Sequence, residues 1–110
     1  MEKHIEIDGK DIRFVSNGAT MLMYKSLFGR KLFEDEQTLL TKAQSGAVDD
    51  EAIEILQMLA YTMAKQGAST TDTFEAWLSQ FEIMSVIEAM PEIILLLVGS
   101  TTPTVTAKKK

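Results

Sequence analysis

Nucleophilic and general-base catalysis most often recruit histidine or cysteine, and this chain holds one histidine, His4, and no cysteine. His4 lies in an alternating, strand-like run and reads as a surface residue. Without cysteine there is no thiolate for a zinc site and no disulfide. Carboxylates are then the only abundant ligand type, concentrated in Glu34-Asp35-Glu36 and Asp49-Asp50-Glu51. Consecutive helical positions point in different directions, so neither run converges on an ion, and both read as solvated helix starts. The glycines Gly9, Gly18, Gly29, Gly46, Gly67 and Gly99 are scattered at element boundaries, where turns and caps need them, and build no phosphate loop. No catalytic residue, no metal and no cofactor is expected. What the side chains offer instead is recognition by apolar surface.

The elements that would carry such a surface fit one domain of 110 residues, 45% hydrophobic and 25% charged, a balance that can close a single core but not two. The net charge of −5 argues against nucleic acid, because neutralising phosphates takes clustered Lys and Arg, and the one basic cluster is Lys108-Lys109-Lys110. The charged start MEKHIEIDGK lacks the apolar core of an export signal, and the six-residue apolar run Ile93–Val98 is far short of the roughly 20 residues that span a bilayer. A soluble, non-exported protein with no membrane contact is the expectation.

Residues 4–15 alternate, with Ile5 and Ile7 on one face, Asp8-Gly9-Lys10 as a turn, and Ile12 and Phe14 following, which predicts a β-hairpin. A lone hairpin is marginal in water, so its apolar face must pack on helices. From Ala19 to Phe28 the spacing becomes helical, with Met21, Tyr24 and Phe28 on one stripe and Gly29 as the stop. Leu32 to Lys42 is a weaker amphipathic piece. Ala52, Ile55, Leu56, Leu59, Ala60 and Met63 fall at i, i+3, i+4, i+7, i+8 and i+11, which predicts a central core helix begun by Asp49-Asp50-Glu51 and closed by Gly67. Phe74, Trp77, Leu78 and Phe81 then form a compact face at i, i+3, i+4 and i+7. The phase slips near Glu82, where a stripe of Ile83, Val86, Ile87 and Met90 begins, and Pro91 either kinks the helix or opens a new one. The fold class is α+β, mostly α: a hairpin packed on a small bundle of about four to five helices within 19–98. It forms a single globular domain over 1–99, followed by a flexible tail over 100–110.

The stretches Tyr24-Lys25-Ser26-Leu27-Phe28-Gly29-Arg30, Leu59-Ala60-Tyr61-Thr62-Met63-Ala64-Lys65, Phe74-Glu75-Ala76-Trp77-Leu78-Ser79-Gln80-Phe81, Pro91-Glu92-Ile93-Ile94 and the terminal Lys108-Lys109-Lys110 recur in order over nearly the whole chain. In this the chain resembles the tail assembly chaperones of long-tailed (siphovirus-type) phages and prophages of Gram-positive bacteria. Each motif is weak alone, and their order, spacing and total length are what is specific. The resemblance implies a mostly helical factor of the host cell cytoplasm. It would bind the long, aggregation-prone tape measure protein, keep it soluble until tail tube subunits polymerise around it, and stay out of the mature virion. Many copies would have to coat one long client, so homo-oligomers are expected, with the major tail protein or a frameshifted longer form of the chain as further partners; genes of this family carry slippery sites, and the lysine run is either encoded by one or a solubilising basic tail. A structural tail component, such as a tail completion or connector subunit, is the alternative reading.

Covering an amphipathic client calls for an apolar face that docks helices, and seven methionines supply adaptable side chains for one. The motif residues Tyr24, Phe28, Tyr61, Phe74, Trp77, Leu78 and Phe81 read as core. Six consecutive apolar residues cover every direction around a helix, so part of Ile93, Ile94, Leu96, Leu97 and Val98, together with Met84 and Met90, is expected to face a partner or a second copy.

Overall fold

The computed structural model describes residues 1–102. Two strands and six helices follow one another among these residues: β1 (Glu2–Ile7), β2 (Lys10–Val15), α1 (Thr20–Phe28), α2 (Leu32–Ser45), α3 (Asp50–Gln66), α4 (Phe74–Leu78), α5 (Ile83–Glu88) and α6 (Met90–Thr101). The strands pair antiparallel with Ile5 opposite Ile12 and Ile7 opposite Lys10. Asp8 and Gly9 both take positive φ, 54° and 76°, the geometry of the two-residue turn that matches strand twist and that an Asp-Gly pair tolerates best. Alternation then puts Ile5, Ile7, Ile12 and Phe14 on one buried face, as the sequence pattern predicts.

That face closes over α3, the central element, which also packs against α1, α2, α4 and α5. Asp49 caps α3 by accepting from the Ala52 amide at 3.0 Å, and the whole predicted stripe of Ala52, Ile55, Leu56, Leu59, Ala60 and Met63 is buried. Gly67 ends the helix with ordinary negative φ, so its lack of a side chain serves close approach. A Cβ there would overlap the Arg13 carbonyl of β2. Arg13 holds this junction three ways: its Nη1 donates to the Gly67 carbonyl at 3.1 Å, its amide donates to Ser69 Oγ at 3.0 Å, and its carbonyl accepts from that hydroxyl at 2.6 Å.

The last third departs from the periodicity. The Phe74–Phe81 face is not one helix: α4 ends at Leu78, and Phe81 comes back to the core through turns closed by Gln80 N–H to Trp77 O at 3.2 Å and Phe81 N–H to Leu78 O at 3.1 Å. The break is fixed from outside the segment, because the Asp8 carboxylate of the hairpin turn accepts from the Glu82 amide at 2.9 Å and from the Ser85 hydroxyl, setting the start of α5. Pro91 sits in the first turn of α6, where its missing N–H costs nothing. That helix runs through Gly99 to Thr101, past the boundary at which the sequence suggests a tail. Ser100 and Thr101 look like loop residues, but the Ser100 hydroxyl donates back to the Leu97 carbonyl at 3.0 Å, and the Thr101 hydroxyl donates to the Glu36 carboxylate at 2.8 Å, which together hold the final turn. The rest of the expected tail, 103–110 with the lysine run, lies outside the described residues.

Candidate protein-binding surface

The aromatic motif residues, drawn from three separate stretches of sequence, meet in one place. Tyr24 packs on Phe28 with ring centroids 5.6 Å apart, Phe28 on Phe74 at 4.9 Å, Phe74 on Tyr61 at 5.3 Å, Tyr61 on Trp77 at 5.7 Å and Trp77 on Phe81 at 5.1 Å. Their tilted and edge-on arrangements are the ones the ring quadrupole favours. Tyr24, Tyr61 and Trp77 are buried, while Phe28, Phe74, Leu78 and Phe81 are half-buried against them. Three of these seven residues are core and four pack against it, and together they tie α1, α3 and α4.

The segment after Pro91 requires a correction. Ile93, Leu96 and Leu97 are buried in the chain's own core, because α6 packs against both α5 and β1 and so has two sides to fill. Met90, Ile94 and Val98 are half-buried, with Met90 and Ile94 packed against the same core. Only Met84 of the expected interface set is exposed. The large apolar side chain that α6 does present to solvent is Leu95, at 67% exposure.

The reading of Glu34-Asp35-Glu36 as a solvated helix start is also corrected. Glu34 is exposed, but Asp35 and Glu36 are buried. Asp35 accepts from the Tyr24 hydroxyl at 2.5 Å and from Arg30 Nε and Nη2 at 2.6 and 2.9 Å. Burial pushes its carboxyl up, but the guanidinium and the hydroxyl outweigh burial and hold it below the ordinary aspartate range. Burial is also the main cause that raises the Tyr24 hydroxyl, with the Asp35 carboxylate adding to it. Glu36 accepts from the Thr101 hydroxyl at 2.8 Å, and burial leaves its carboxyl above the ordinary range. Both are fold contacts, tying α2 to α1 and to α6. Among the described residues no three His, Asp or Glu groups are placed to share a metal ion, and no helix is long and apolar enough to cross a membrane.

The most open apolar ground lies across α1 and the start of α2. Met21 is not on the buried stripe of α1, which packs through Thr20, Tyr24 and Phe28. Met21 instead lines a hollow of about 330 Å³ with Leu32 and Phe33, rimmed by Lys25, Arg30, Lys31 and Glu34. A second hollow shares Met21, Leu32 and Phe33 and continues past Asn17 and Thr20 to Leu97 and Thr101 of α6. The two form a groove with Leu32 as buried floor and Phe33, 51% exposed, as wall. Leu22, next to Met21 on α1, is 72% exposed. Ile83 and Met84 at the start of α5 are exposed as well. Periodicity gives little sign of the groove, since Met21 falls on a plausible stripe with Tyr24. The readable signal is that α1 offers apolar residues in more directions than one buried stripe can use.

No protein-family model, curated protein or solved structure matches this chain.

Proposed function

We propose that this chain is a phage tail assembly chaperone, binding the tape measure protein in the host cell cytoplasm and keeping it soluble until the tail tube polymerises around it. The observation that carries this reading on the structural side is the groove of Met21, Leu32 and Phe33, an open apolar hollow on a domain that already has its own buried core. Single exposed apolar residues are ordinary, whereas an apolar hollow edged by polar groups is how helical clients are held. The client itself is supplied by the ordered set of sequence motifs, and self-association would let many copies cover one long chain.

Co-expression with the tape measure protein of the same phage tests the proposal. The client should move from the pellet to the soluble fraction and co-purify with this chain. A client that stays insoluble removes the reading. Mass spectrometry of purified virions separates the alternative, because a structural tail component is found in the particle and a chaperone is absent from it.

A further inference from the structure

Charge is distributed unevenly along this acidic chain. Residues 12–33 hold Arg13, Lys25, Arg30 and Lys31 and no Asp or Glu, although the whole chain carries −5. Three of these four cations lie at the rim of the groove. Arg30 is neutralised by Asp35, which uses both carboxylate oxygens on it. Lys31 has only a loose partner in Glu34 at 3.8 Å, with both side chains about three-quarters exposed, and such a pair holds neither charge firmly. Lys25 forms no ion pair among the described residues. The groove is thus an apolar trough with two ammonium groups at its edge, Lys25 unpaired among the described residues and Lys31 held only loosely by Glu34.

Resting on the chaperone reading above, we propose that this groove docks an amphipathic client helix whose apolar stripe is flanked by carboxylates. Apolar anchors at i, i+3 and i+4 would sit between Met21 and Phe33 over Leu32, and flanking Asp or Glu would reach Lys25 and Lys31. The apolar contacts supply most of the affinity. The charge pairs supply register and reject helices flanked by Lys or Arg.

The test uses the full chain and two labelled helical peptides of about 18 residues, long enough to hold helix on a surface. Both carry leucine at i, i+3, i+4 and i+7; one is flanked by glutamate, the other by lysine. Fluorescence anisotropy should show the glutamate peptide binding about tenfold or more tighter than the lysine peptide, with the preference shrinking as salt is raised. Phe33→Ala should weaken it about tenfold, and the paired change Lys25→Glu with Lys31→Glu should reverse the preference. All three side chains are exposed, so the variants should melt with the wild type by circular dichroism. Equal binding of the two peptides, or variants that bind as wild type does, would overturn the assignment. The same holds if light scattering shows the chain self-associating through this face, with Phe33→Ala dissociating it and the peptide unable to compete. That outcome has a physical basis in residues 66–107, which carry Asp72, Glu75, Glu82, Glu88 and Glu92 and no Lys or Arg. Co-expression keeps the two claims apart. A tape measure protein solubilised equally by wild type and by Phe33→Ala sinks the groove assignment and leaves the chaperone reading standing, whereas a client insoluble even with wild type sinks that reading.

Discussion

Two neighbouring carboxylates on α2 are pulled in opposite directions, and each makes a prediction. Asp35 holds Tyr24 and Arg30 at once, so Asp35→Asn should leave a buried hydroxyl and a guanidinium poorly paired and cost about 1–3 kcal/mol in urea unfolding. Because the folded carboxyl of Asp35 lies below its unfolded value, its stabilisation is complete above the ordinary aspartate range and fades as pH falls through the folded value. Glu36 has the reverse sign. Its folded value lies above the unfolded one, near about 4.3, so its contribution is complete below that pH and is lost as pH rises through the folded value. From these two groups stability should climb as pH falls towards the ordinary glutamate value, then drop as it falls below the aspartate range. Glu36→Gln keeps an acceptor for the Thr101 hydroxyl and removes the charge, so the climb should flatten and the neutral-pH protein should gain stability. A climb of unchanged slope in that variant would mean that other groups produce it.

At the scale of elements, the hairpin and α3 are legible in the sequence because their causes are local. Asp8-Gly9 sets the turn, and alternation or 3.6-residue spacing sets which side chains are buried. The segment after Phe74 is less legible because its boundaries are set by distant residues. Asp8 fixes the start of α5 from the hairpin, and the last turn of α6 is held through Thr101, which also reaches Glu36 of α2. The same distance effect misleads the reading of the expected interface. Ile93 to Val98 is apolar on every side, but whether β1 or another chain covers it cannot be read from its own residues. The groove was legible only as an excess of apolar side chains on α1. Close approach at Gly67 is another long-range constraint, and it is testable. Gly67→Ala should lower stability by about 1–3 kcal/mol, since the added methyl meets the Arg13 backbone and no flexible side chain is there to give way. An alanine variant that melts with the wild type would show that α3 and β2 separate without cost.

For the molecule as a whole, the division of labour differs from the one its sequence suggests. The aromatic motifs build the core that ties α1, α3 and α4, the apolar end of the chain completes that core beneath the hairpin, and the open surface falls on α1 and the front of α2. A chaperone needs this arrangement, because a binding face made of exposed Met, Leu and Phe must be carried by a fold that does not depend on covering it. The most direct test of the central claim is an aggregation assay. A segment of the tape measure protein is diluted from denaturant, and light scattering is followed with increasing amounts of this chain. Scattering should be suppressed in proportion to added protein, suppression should saturate at a fixed ratio, and Phe33→Ala should shift the saturation to higher protein. Scattering that rises as fast with this chain as with an inert protein of the same size and charge would contradict the claim.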